Sequence, residues 1–278
     1  LGQTVIPHIA RRSFGDGPRP VLAIHCTMGR AGAWRGLAAA MGDAVTFHAF
    51  DLPGHGRSGD WDGQGDLHDC ATAMARAVLD DLGPDPVDVI GHSFGGTIAL
   101  RLASEMPDRI RSAALFEPVF FAPAIADSPD YAARHMKSDT DYEAAYRAGD
   151  PVRATQIFND YWGGGLPWDH LPEDTRQYMV DRIGFVHHSS PALIHDSAGL
   201  MQPGRLDSIT APVLMMRGET SPWAAEVNGA IARRLRNVHE VALPGVGHLA
   251  PITHPKALAP HLRAFFETPA KSRPIAAD

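Results

Sequence analysis

The chain has 278 residues, 44% of them hydrophobic, and its 25 Lys+Arg against 32 Asp+Glu give a formal net charge of −7. That length and apolar content suit one large α/β domain with an insertion, and the acidic balance argues against a nucleic-acid or anionic-membrane partner. Two cysteines, Cys26 and Cys70, make no disulfide framework, so a reduced, cytoplasmic setting is the default. No apolar run of about eighteen residues appears, so no membrane span is expected. The start at Leu1-Gly2-Gln3-Thr4-Val5 lacks the basic-then-apolar pattern of a signal peptide, and the missing initiator Met fits a processed or trimmed chain.

Residues 8–14 read as a first edge strand, closed by a turn at Gly15-Asp16-Gly17-Pro18. The short apolar run 21–25 predicts a strand buried on both faces. A glycine-punctuated loop, Cys26-Thr27-Met28-Gly29-Arg30-Ala31-Gly32, leads into a helix over 33–41. The next strand, 44–50, ends in the turn-rich Asp51-Leu52-Pro53-Gly54-His55-Gly56-Arg57-Ser58. Leu67, Ala71, Met74, Val78 and Leu82 repeat at helical spacing and stop at Gly83-Pro84. A β-branched run from Val87 to Ile90 then enters Gly91-His92-Ser93-Phe94-Gly95-Gly96, followed by a helix to Met106-Pro107 and a strand over 110–116 that runs into Glu117-Pro118. Strands alternating with helices at this spacing predict a mostly parallel, doubly wound sheet.

The rhythm breaks after Pro118. Residues 119–205 are helix-like but irregular, rich in aromatics and interrupted by Gly163-Gly164-Gly165, which reads as a lid or cap over the active end of the sheet. Strand and helix resume with a strand at 212–218, a helix over 224–235, a strand over 238–243, the loop Pro244-Gly245-Val246-Gly247-His248 and a closing helix over 255–266. The polar tail beyond residue 268 is expected to fray. The domain reading is a core of 1–118 and 206–268, a cap of 119–205 and a tail of 269–278.

Strand, sharp turn and helix around Gly91, Ser93 and Gly95 is the context in which G-x-S-x-G carries chemistry. The turn holds its central residue in a strained conformation, and Gly91, Gly95 and Gly96 give strand and helix room to close. It lifts the Ser93 hydroxyl to the end of the sheet and puts the Phe94 N–H at a helix N-terminus, where negative charge is stabilised.

Four stretches, His25-Cys26-Thr27-Met28-Gly29, Asp51 to Ser58, Gly91 to Gly96, and Gly245-Val246-Gly247-His248, resemble in kind and order those of the capped, carboxylesterase-like serine hydrolases of the α/β-hydrolase superfamily. The resemblance implies that fold, with a helical cap inserted after the sixth strand, and needs no cofactor or metal. It implies Ser93 as nucleophile and His248, in the late position of the Ser, acid, His order, as its base. Where the family commonly places an aspartate after the penultimate strand, this chain has Ser221 in Gly218-Glu219-Thr220-Ser221. Some relatives take the acid from the strand after the nucleophile helix, which offers Glu117, with Glu219 the alternative. The oxyanion donors implied are the N–H groups of Phe94 and Thr27, although Cys26 stands where the family usually has glycine; Cys26 as an alternative nucleophile has no base placed for it. His25 and His55 resemble histidines that buttress loops, His92 is expected to be structural, and His187-His188 lacks the spacing of a metal site.

The aromatic side chains Phe120, Trp162 and Trp223, with Met28 and Leu249, are the candidate substrate pocket, and Trp168 and Phe185 belong to the same aromatic-rich set. These rings either line an apolar acyl or alcohol pocket or glue the cap to the sheet. Arg134, Arg153 and Arg182 either read a substrate carboxylate or lie exposed on amphipathic helices. The expected activity is hydrolysis of a carboxylic ester or lactone by a monomer or homodimer acting on a small molecule. Carbon–carbon hydrolysis of vinylogous diketones, cofactor-free perhydrolysis, and a small-molecule receptor with vestigial catalysis use the same fold.

Overall fold

The computed structural model describes residues 5–162 and 166–267, and the glycines at 163–165 and the tail from 268 onward lie outside these residues. The runs at Arg19–Ile24 (β2), Val87–His92 (β4), Ile110–Phe116 (β5) and Val213–Gly218 (β6) are strands buried on both faces, hence apolar in succession rather than in alternation. With Arg11–Phe14 (β1), Val45–Phe50 (β3) and Val238–Leu243 (β7) they form one seven-stranded sheet ordered β1-β3-β2-β4-β5-β6-β7. Only β1 runs antiparallel.

Period-two geometry sorts the apolar side chains to two faces. Leu22, Ile24, Val89, Val213 and Met215 pack under Leu67–Asp81 (α2), Phe94–Glu105 (α3) and Ala224–Ala232 (α9). Val21, Ala23, Ile90, Leu214 and Met216 pack under Arg35–Met41 (α1) and Pro255–Glu267 (α11). The sheet is doubly wound, as the alternation of elements predicts. Because all strands but β1 are parallel, the loops after β2, β4, β5, β6 and β7 emerge at one edge.

Between β5 and β6 lie Ala122–Asp127 (α4), Pro129–Arg147 (α5), Pro151–Trp162 (α6), Glu173–Val180 (α7) and Ile183–His195 (α8); a short turn of helix, Ala250–Thr253 (α10), follows β7. The helical segment therefore follows the fifth strand, not the sixth. The first strand also begins at Arg11 rather than at residue 8, because the chain ahead of it bonds a loop instead of a sheet edge: Gly59 N–H donates to His8 O and Asp51 N–H to Ala10 O, both at 2.9 Å. Asp127 accepts from Arg233 and Arg234, and Glu226 from Arg134, so ion pairs join the segment to α9. Among the described residues no helix is long and apolar enough to cross a membrane.

Two loops at the carboxyl edge are held by buried imidazoles. His25 donates from Nδ1 to Cys26 O (2.7 Å) and accepts Leu52 N–H at Nε2 (2.9 Å). His55 donates from Nδ1 to Pro53 O (2.8 Å) and accepts Met28 N–H at Nε2 (3.0 Å). Both must stay neutral to accept. Burial, the largest influence, pulls His25 down to about 4, and burial followed by the charge of His25 pulls His55 to about 3.

Two outcomes follow. A Cβ on Gly95 would lie 2.1 Å from Ile24 O, a backbone atom, so Gly95→Ala is expected to cost about 2–4 kcal/mol in urea unfolding, or to prevent folding. Acid stability is the second. An unfolded histidine takes up its proton near pH 6.5, whereas His25, His55 and His68 (also held at about 3 by burial) do so only at about 4 or below. The unfolded state therefore binds more protons in that window. Stability present above about pH 6.5 is lost as the pH falls, each histidine approaching about 1.4 kcal/mol per unit. Urea midpoints that stay flat from about pH 7 to about pH 5 would contradict this.

Candidate active site

Ser93 closes β4 and opens α3 with φ 56° and ψ −119°, a conformation that L residues rarely adopt. The flanking glycines show what the turn demands: a Cβ on Gly91 would lie 2.3 Å from Gly95 O, and one on Gly96 3.0 Å from the Pro118 side chain. Phe94 begins α3, so its N–H has no acceptor within the helix. The close approach of Gly95 to Ile24 O and His25 O lays the loop after β2 against this helix start. Within that loop, Met28 N–H is spent on His55, Gly29 N–H on Cys26 O (2.9 Å) and Ala31 N–H on Asp51 Oδ1 (2.7 Å). Thr27 N–H stands outside this set. Met28 itself takes φ 62°, the left-handed region that favours glycine.

Glu117 ends β5 and is fully buried, also with positive φ (44°). Its Oε1 accepts Gly218 N–H at 2.7 Å, and its Oε2 lies 2.7 Å from His248 Nδ1. His248 follows β7 on a loop whose Gly245 has φ 69°, and its carbonyl accepts from His92 Nε2 at 2.7 Å. Burial and the nearby His248 hold His92 well below the usual imidazole range, so it is a neutral donor that fixes the His248 backbone. The alternative acid, Glu219, has an exposed side chain, and Ser221 is buried where the family's aspartate commonly stands. Burial pushes the Cys26 thiol up to about 12, so it remains a thiol.

Aromatic rings surround His248. Trp162 lies 5.5 Å and Trp223 5.4 Å away by ring centroids, with the two indoles 4.6 Å apart. Beside Trp162 the helical segment forms a half-open cavity of about 350 Å³ lined by Phe121, Tyr142, Phe158, Trp162, Val186 and Leu193 among others. Of the expected pocket residues, Phe120 is 1% exposed and buried in the core, while its neighbour Phe121 lines the cavity. Met28 packs against Tyr142, Ala154 and Ile183, and Leu249 is half-buried at the start of α10, outside the cavity lining. His187 bonds Glu143 Oε1 at 2.7 Å. Two contacts were not legible beforehand. Phe185 sets its edge between His55 (4.7 Å) and Phe94 (4.8 Å), and Tyr178 donates its hydroxyl proton to Gly29 O at 3.0 Å. Both lie in the helical segment between β5 and β6, whose sequence periodicity carries no partner information.

A family model described as the alpha/beta hydrolase family matches residues 21–261. The chain is 36% identical over 125 residues to the lipase LipV of Mycobacterium tuberculosis, covering 42% of this chain and 47% of that one. It is 26% identical over 277 residues to the esterase Rv0045c of the same organism, covering 93% and 86%. Among solved structures, an alpha/beta hydrolase from Sphaerobacter thermophilus superposes with a TM-score of 0.69 at 25% identity, covering 95% of this chain and 100% of that one. The chain spans less than half the length of several curated relatives it matches, 29% and 47% for the first two. With the match running through the sheet and the loops that carry Ser93, Glu117 and His248, the chain belongs to the alpha/beta hydrolase family.

Proposed function

We propose that this protein hydrolyses carboxylic esters through an acyl-enzyme on Ser93, and that lactones fall within the same chemistry. The observation that carries the reading is the buried contact between His248 Nδ1 and Glu117 Oε2 at 2.7 Å. A proton held on Nδ1 by the carboxylate leaves the Nε2 lone pair to serve as a base. The esterase and lipase names among the relatives agree with it.

In this reading Ser93 Oγ attacks the ester carbonyl carbon while its proton passes to His248 Nε2. The oxyanion takes hydrogen bonds from the N–H groups of Thr27 and Phe94, aimed where charge develops. Collapse breaks the carbon–oxygen bond, and His248 returns the proton to the leaving alcohol. Water, deprotonated by the same imidazole, then attacks the acyl carbon, releasing the carboxylic acid and restoring Ser93. Glu117 orients the imidazole and stabilises its charged form without taking the proton. Residues 119–205 act as the cap, 1–118 and 206–268 as the core, and the cavity beside Trp162 receives an apolar part of the substrate.

The contrast with Asp88 supports a working role for Glu117. Both carboxylates are fully buried, but Asp88 is matched by Arg19, Arg111 and Ser112, as a structural charge is. Glu117 receives one backbone N–H and an imidazole. A carboxylate on His248 favours turnover over a receptor with vestigial catalysis.

Hydrolysis of p-nitrophenyl esters from acetate to decanoate tests the proposal. Ser93→Ala is expected to abolish turnover at every chain length, and a Ser93→Ala protein that retains it would contradict the assignment. Glu117→Gln is expected to lower kcat by about 10³–10⁴-fold, with Glu219→Gln near wild type. The reverse pattern would move the acid to Glu219.

A further inference from the structure

Among the described arginines, Arg76, Arg109, Arg182 and Arg205 each have a buried Nε without a hydrogen-bond partner. Three of them are matched at their terminal nitrogens by carboxylates: Arg76 and Arg205 by Glu105, and Arg109 by Asp80. Arg182 is the exception. The hydrogen bond of its guanidinium runs from Nη1 to the Tyr178 carbonyl (2.9 Å), and it enters no ion pair among the described residues. Its Cζ lies over the Tyr178 ring, 3.7 Å from the centroid, and Arg30 approaches the same ring at 4.8 Å, likewise without an ion pair among the described residues.

Their position ties them to the site. The ring between them belongs to Tyr178, whose hydroxyl holds Gly29 O in the loop that carries Thr27. Phe185, whose N–H donates to Arg182 O at 2.9 Å, reaches both His55 and Phe94, the residue after Ser93. The charge of Arg182 is felt at His55 and that of Arg30 at His25. The other arginines with a claim on a carboxylate are placed elsewhere: Arg134 pairs with Glu226, and Arg153 is exposed on the first turn of α6. A partly desolvated guanidinium without a counter-charge is costly, and a carboxylate brought beside it recovers part of that cost in a charge-assisted hydrogen bond.

We propose that Arg182, seconded by Arg30, forms a subsite for a carboxylate at the mouth of the site, and that the preferred substrates are esters bearing such a group away from the reacting carbonyl. The word ester rests on the reading above; the subsite does not. The probe is 4-phenylbutyrate, compared with its neutral amide by titration calorimetry on the full chain. Wild type is expected to bind the carboxylate about tenfold tighter than the amide, with the ratio shrinking between about 0.05 and 0.5 M salt. In Arg182→Gln the ratio should fall to about one, with intermediate values in Arg182→Lys and in Arg30→Gln, whose side chain is exposed and whose fold is not at risk. Equal affinities in wild type, undetectable binding of the carboxylate, or a wild-type ratio in a folded Arg182→Gln would each overturn the proposal. Should Arg182→Gln fail to fold, a wild-type ratio in both Arg182→Lys and Arg30→Gln would overturn it. Turnover of p-nitrophenyl butyrate by wild type but not Ser93→Ala reports separately on the ester reading. Its absence beside an intact carboxylate preference would remove that reading alone.

Discussion

The Glu117 carboxylate is the point on which the site's geometry depends. It leaves the end of β5, takes the Gly218 N–H from the end of β6, and meets His248 from the loop after β7. Three strand ends that have no local reason to converge are thereby held in one register. A carboxylate with no exposure to water is costly to ionise unless hydrogen bonds replace its hydration. Here each oxygen has one donor. His248 is fixed from a second direction by His92, so the imidazole is held at its ring and at its backbone.

Much of this arrangement was legible in the sequence because it is local. A strand, a glycine-flanked serine and a helix can be read in ten consecutive residues, and apolar runs without alternation announce strands buried on both faces. Parallel pairing then brings separate strand ends to one edge, and the resemblance to the family supplies the roles of Ser93, His248 and Glu117, with Glu219 left open as the acid. The first strand reads too long, and the insertion at 119–205, correctly placed after the strand at 110–116, is numbered one strand too high. Residues 8–10 have the composition of a strand yet spend their backbone on the loop from Asp51 to Gly59, a tertiary preference with no local signature.

The helical segment was legible only as helical. Phe120 and Phe121 are adjacent and chemically identical, and which one lines a cavity and which sinks into the core depends on the angle at which the chain leaves β5. Arg134, Arg153 and Arg182 were equally plausible partners for a carboxylate. Packing separates them, giving Arg134 to Glu226, leaving Arg153 exposed and laying Arg182 on the ring of Tyr178. Tyr178 and Phe185 connect the segment to the loops after β2 and β4, contacts 149 and 91 residues apart in the chain for the Tyr178–Gly29 and Phe185–Phe94 pairs. No periodicity encodes such distances.

The central claim is that Ser93 Oγ is the atom acylated, driven by an imidazole that Glu117 holds in place. Labelling with a fluorophosphonate probe, followed by peptide mapping, tests it directly. The account predicts one probe per chain, on Ser93, with labelling slowed by about 10³-fold or more in Glu117→Gln. A label on Cys26 or another side chain, or a Ser93 rate indifferent to Glu117→Gln, would contradict it.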